Sequence, residues 1–129
     1  MSSGEMNSGE MNMRGVVGDA TDLTPQPLAG EGIQDVVKRV LVAPAQGWDG
    51  WVMRLFDVAP GGHTPRHSHP WPHINFVAGG AGELYVEGEV HTLGAGSYAY
   101  VPAGAEHQFR AAPDAALSFV CIVPERGDA

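Results

Sequence analysis

Residues 61–82 read GGHTPRHSHPWPHINFVAGGAG, and four of the chain's six histidines fall between His63 and His73. His67 and His69 are two apart, so on an extended chain both rings leave the same side. Pro70-Trp71-Pro72 excludes a regular helix and makes a bend. That bend can return His73 towards the first two imidazoles. His107 follows downstream in VPAGAEHQF (101–109). Imidazole is the commonest protein ligand for zinc, copper, iron and nickel. A two-apart pair with two further histidines is therefore a pattern that can hold one such ion. His63 lies near the cluster but off its spacing, and His91 sits on an expected hairpin strand; both read as surface residues.

The spacing resembles that of the cupins, whose first motif is G-x5-H-x-H-x(3,4)-E-x6-G. Gly61, His67, His69, His73 and Gly80 fit it, with His73 where the family usually has Glu. The second cupin motif, G-x5-P-x-G-x2-H-x3-N, is matched by Gly96, Pro102, Gly104 and His107, with Ala111 in place of Asn. The short separation of the motifs is similar to that of the shortest single-domain cupins. The runs VMRLFDVAPGG, HSHPWPH and FVCIVP look like the small four-histidine subgroup. The resemblance implies an all-β fold, an antiparallel jelly-roll β-barrel (double-stranded β-helix), with His67, His69, His73 and His107 as ligands. It implies one divalent transition metal ion per subunit: Mn, Fe, Cu, Ni or Zn. It turns Phe119 and Cys121 towards the metal cavity and implies a homodimer.

The chain outside this stretch fits such a domain. Its 129 residues suit one domain with a modest core. Gly 18 and Pro 10 suit many short strands joined by turns. A formal net charge of -8 argues against nucleic acid. No apolar run is long enough to span a membrane, and no signal-like segment opens the chain. Cys121 is the only cysteine, which is compatible with a reducing compartment. A cytoplasmic location is the expectation.

Residues 1–32 are expected to be a disordered tail and an N-terminal arm, and residues 33–129 the folded domain. Ser3–Asn7 is repeated as Ser8–Asn12, polar and without apolar periodicity. Asp19–Gly32 reads as an arm or linker. Beyond it, strands are expected at Val36–Val42, Trp51–Val58, His73–Ala78, Glu83–Val86, Val90–Leu93, Ser97–Val101 and Leu117–Val123, with His63–His69 extended. Pro60-Gly61-Gly62 reads as a turn, and Gly79-Gly80 as the end of a strand.

Four other residues are candidates for the lining of a substrate cavity: Arg54, Trp71, Phe119 and Cys121. Arg54 stands on an apolar face and needs a partner. That partner is either a rim or dimer ion pair, or an anion clamped inside the cavity. Trp71 is either an aromatic wall at the mouth or a core residue. Cys121 reads as a small buried hydrophobe. Glu106 and Asp57 are candidate bases by sequence proximity alone, and no catalytic residue is assigned. Four neutral imidazoles leave the ion's charge uncompensated, which favours an anionic or enolisable small-molecule substrate. Oxidation of dioxygenase type is the first chemistry expected. A redox-neutral cyclase or isomerase, as among the small four-histidine cupins that are polyketide cyclases, is the second. A non-catalytic ligand-binding module is the third.

Overall fold

The structure is a computed structural model and describes residues 14–128. The Ser3–Asn12 repeat, with the disorder expected of it, lies outside the described residues. Among the described residues there are eight strands, three short 3-10 turns and no α-helix. The strands are β1 (Gln26–Pro27), β2 (Gln34–Val42), β3 (Trp51–His63), β4 (His73–Val86), β5 (Glu89–Gly94), β6 (Tyr98–Val101), β7 (His107–Ala111) and β8 (Leu117–Pro124).

Two long strands close the barrel. The first half of β4 pairs with β6 and β8, and its second half pairs with β5 and β7. β3 pairs with β2 and β8, and its last residue, His63, reaches Arg110 of β7. The circuit β3–β8–β4–β7–β3 is complete, and every pair is antiparallel. This is the jelly roll expected from the two motifs.

The strands are longer than their glycines suggest. Gly79-Gly80 does not end β4, and Pro60-Gly61-Gly62 does not end β3. The strands run through these glycines and change pairing partners there instead, from β8 to β7 along β3 and from β6 and β8 to β5 and β7 along β4. The β4–β8 register slips between Val77 and Gly79. Gly80 then takes φ +87, so close to Ala116 that a Cβ would run into its carbonyl. The segment after His63 runs on beside β7 without forming a regular strand. Thr64 N–H donates to Phe109 O at 2.9 Å, and at an isolated bridge His67 N–H donates to His107 O at 3.1 Å and His107 N–H to His67 O at 2.9 Å.

The expected arm folds back on its own chain. Gln26 pairs with Lys38 and Pro27 with Val37. Leu28 N–H donates to Val36 O, and Leu28 and Ile33 pack against the core.

Alternation fixes what faces inward. In β8, Leu117, Phe119, Cys121 and Val123 are buried while Ser118, Val120 and Ile122 are half-buried. The register sets Arg54 beside Cys121 and Cys121 beside Asn75, a polar row across three strands. The next row is Phe56, Phe119 and Val77. Phe119 stacks on Phe109 at 4.0 Å and on Phe56 at 5.4 Å, giving the barrel an aromatic floor.

Gly80→Ala is expected to lower the urea midpoint, with a loss of about 2 kcal/mol or more. A left-handed Ala costs about 1–2 kcal/mol on its own, and the Ala116 carbonyl must also move. Unchanged stability would mean that β4 does not bend there.

Candidate metal centre

Three histidines form one cluster, and a fourth touches it. His73 opens β4 and His107 opens β7. His67 and His69 come from the loop that the His67–His107 bridge ties to β7. The ligand nitrogens of His67, His69 and His107 all lie within 4.8 Å of one another. His73 joins them through its Nε2, 3.1 Å from Nε2 of His107.

Hydrogen bonds on the far side of three rings decide their tautomers. His69 Nδ1 lies 2.9 Å from Trp71 O, and His107 Nδ1 lies 2.9 Å from Ala105 O. His73 Nδ1 lies 2.6 Å from Asn75 Oδ1, whose amide nitrogen donates to Val120 O. These oxygens can only accept, so each Nδ1 carries the proton and donates. Each Nε2 is then a bare lone pair. The 3.1 Å contact between His73 and His107 is consequently lone pair against lone pair. Two imidazole nitrogens at right angles on one ion, each about 2.1 Å from it, lie about 3.0 Å apart. The donor set therefore fits a single transition-metal ion, and the locked Nδ1 atoms are the support that such ligands need.

Desolvation favours the neutral form of His73 and His107, which are buried, and also of His67, which is exposed on one side. Desolvation, with the neighbouring His107 and His69 adding to it, pushes His67 down to about 4. Desolvation and the neighbouring His107 push His73 down to about 3, against the opposing bond to Asn75. His107 is lowered by burial in spite of its bond to Ala105 O.

The cluster opens on a cavity of about 430 Å³ whose walls include Arg54, Trp71, Phe119 and Cys121. Trp71 lies flat on His69, with centroids 4.7 Å apart and planes at 9°. Arg54 faces the cavity and not the outer rim, with its side chain 11% exposed. Its guanidinium donates to Cys121 Sγ at 3.0 Å and meets Asp128 at 3.5 Å. Cys121 is buried, and burial raises its thiol above the usual range. It is thus not an activated nucleophile. Glu106 accepts from the Tyr85 hydroxyl, and Asp57 pairs with Arg39. Neither is among the residues that line the cavity, so neither suits a base there. His63 and His91 also stay outside the cluster, beside Gln108 and Glu89 respectively.

A sequence profile of the cupin domain matches residues 54–123, more than half of the chain. The chain belongs to the cupin family. This cupin is 29% identical to the polyketide cyclase RemF from Streptomyces resistomycificus, with a TM-score of 0.80 over 88% of this chain and 80% of that one. A cupin-2 domain protein from Rhodospirillum rubrum is also 29% identical, with a TM-score of 0.72 over 80% of this chain and 68% of that one. A third relative is the 1-methylthio-D-xylulose 5-phosphate methylsulfurylase of Rhodospirillum rubrum, 34% identical over 76 residues, which are 59% of this cupin. The match spans 49% of that enzyme, so the cupin covers about half the length of its curated relative.

Three site residues carried no motif. Asn75 orients His73, and its signal was its inward place in the alternation of β4. Lys38 lines the cavity from β2, a cation on a β-branched strand just as Arg54 is on β3. Asp128 had no signal in the sequence.

The depressed histidines give a pH dependence with a defined sign. Unfolded, His67 and His73 take up protons near 6.5; folded, they do so only near 4 and 3. Their contribution is complete above pH 6.5 and is lost as the pH falls towards the folded values. The urea midpoint of metal-free protein should therefore fall between pH 6.5 and 5, above the range where most carboxylates titrate. A midpoint that stays flat from pH 7 to 5 would show that the rings are not buried together. Competition of protons with a metal should likewise set in well below 6.5, the point suggested by reference histidines.

Proposed function

We propose that this cupin is a metal-dependent enzyme acting on a small organic substrate by redox-neutral chemistry of the cyclase or isomerase class. The observation that carries the metal is the pair of Nε2 lone pairs, on His73 and His107, facing each other at 3.1 Å. His67, His69, His73 and His107 would hold the ion, with no carboxylate among them. When bound, a divalent ion supplies a Lewis acid with open positions for a carbonyl or enol oxygen. The protein's own groups do the rest. Trp71 and the Phe109–Phe119–Phe56 stack offer flat apolar walls to a planar carbon skeleton. Arg54 and Lys38 offer positive charge at the cavity wall. Buried walls exclude water from the reacting end.

Two observations favour the redox-neutral branch over dioxygenase chemistry. All four donors are neutral, which strengthens the Lewis acid and disfavours a higher oxidation state. The polyketide cyclase also shares the fold across most of both chains at 29% identity. The test is turnover of aromatic polyketone substrates by metal-reconstituted protein under nitrogen and in air. Equal rates, with zinc able to support them, are expected. Turnover that requires O2 and an iron or copper load would instead establish the dioxygenase reading.

A second copy of the chain is the proposed partner. Ile74 and Phe76 of β4 are 56% and 51% exposed, and Tyr98 and Tyr100 beside them on β6 are 83% and 65% exposed. An outer sheet face this apolar is best covered by its own equivalent. Light scattering should give a dimer at micromolar concentration, and Phe76→Asp should give a folded monomer. A wild-type monomer at that concentration would contradict the pairing.

A further inference from the structure

Lys38 and Arg54, two half-buried cations that line the cavity, share a single carboxylate oxygen. Lys38 Nζ lies 3.0 Å from Asp128 Oδ1, and Arg54 Nη1 lies 3.5 Å from the same atom. The side chains of Lys38 and Arg54 are 14% and 11% exposed, that of Asp128 23%. Arg54 is poorly served. Its Nη2 has a thiol as acceptor, and its Nε is buried with none. A buried guanidinium with an idle donor is costly, and its planar fork matches a two-oxygen anion. One Asp128 oxygen against two cations leaves a net charge of +1 there. Among the described residues the cavity lining itself contains no carboxylate, and Asp128 stands just behind it, next to Gly127 of the lining.

Asp128 sits on a short element with few backbone ties. The Glu125–Asp128 turn is a single short 3-10 turn. It is held by Glu125 N–H on Gly50 O, by a long Arg126 contact to Pro70 O and by the ion pairs of Asp128. Gly127 packs on the Trp71 indole, which itself lies on His69. The turn therefore closes the same cavity that the histidines open on.

We propose that Lys38 and Arg54 form an oxyanion subsite, which Asp128 fills in the free protein. A carboxylate or phosphate group of a small ligand displaces Asp128 there, while the other end of the ligand reaches the histidines. The anion takes the place of Asp128 at Lys38 Nζ and Arg54 Nη1, and the released turn gives it a way in. The identity of that other end rests on the metal-enzyme reading; the subsite itself does not.

Inorganic phosphate and acetate serve as probes of the full chain, titrated calorimetrically at constant ionic strength in chloride. Chelator-treated and zinc-loaded samples are run in parallel, with zinc uptake measured on the same protein. Asp128→Asn should bind at least one of the two anions about tenfold more tightly than wild type, the scale of one charge-assisted contact removed as competitor. Which anion gains identifies the group as carboxylate or phosphate. Adding Lys38→Met or Arg54→Met to Asp128→Asn should abolish the gain, and Asp128→Ser repeats the first result with a smaller side chain. Thermal melts establish that each variant is folded. If neither Asp128 variant gains affinity, or if the gain survives both cation replacements, the subsite is overturned. Zinc uptake without anion binding overturns the subsite alone. Anion binding without zinc uptake overturns the metal-enzyme reading alone.

Discussion

Three imidazole rings are locked by protons that they donate to oxygens fixed in the fold, and the character of the site follows from that constraint. Ala105 O and Trp71 O are backbone atoms. Asn75 Oδ1 is held by the amide's own bond to Val120 O. With Nδ1 committed, no rotation or tautomer change can turn a proton into the centre without breaking a buried hydrogen bond. Facing lone pairs in a desolvated pocket repel each other, and a cation relieves that repulsion. The barrel carries the cost of holding the rings in this state, which links the site to folding stability at low pH.

The rest of the fold serves to bring these rings together. β4 delivers His73 and Asn75 from its first half, which pairs with β8, and beyond Gly80 it pairs with β7, where His107 begins. One bridge to His107 then anchors the loop that carries His67 and His69. The cavity therefore carries two chemically different groups of residues, the neutral nitrogen donors and the cations Lys38 and Arg54 that share Asp128. They are near neighbours, since Arg54 helps to depress His73. Phe109, Phe119, Phe56 and Trp71 line the same cavity. A ligand that satisfied all of them would be flat, with a chelating oxygen and an anionic group.

Much of this was legible in the sequence because the motif residues act through spacing. His67-x-His69 and the distance to His73 and His107 are properties of the chain, and so is the alternation that turns Phe119 and Cys121 inward. The strand ends were misread at Gly61-Gly62 and Gly79-Gly80, because a glycine permits a bend as readily as a stop. Only the neighbouring carbonyl of Ala116 decides between them. Arg54 was recognisable as a charge in need of a partner. Its partner was not, since Asp128 lies 74 residues away in a segment without periodicity. Lys38 was hidden for a related reason, since its partner Asp128 is equally remote in the chain. Asn75 shared the inward face of β4 with His73, two residues away, but no motif marked it.

The imidazole nitrogen resonances of 15N-labelled, metal-free protein near pH 7 test the account most directly, through long-range proton–nitrogen correlation and a zinc titration. The account predicts that His69, His73 and His107 carry the proton on Nδ1. It predicts that one equivalent of zinc shifts the ring nitrogen signals of all four site histidines together, the bare Nε2 of His69, His73 and His107 among them. A proton on Nε2 of His73 or His107 in the metal-free protein, or zinc binding that leaves either ring unmoved, would contradict it.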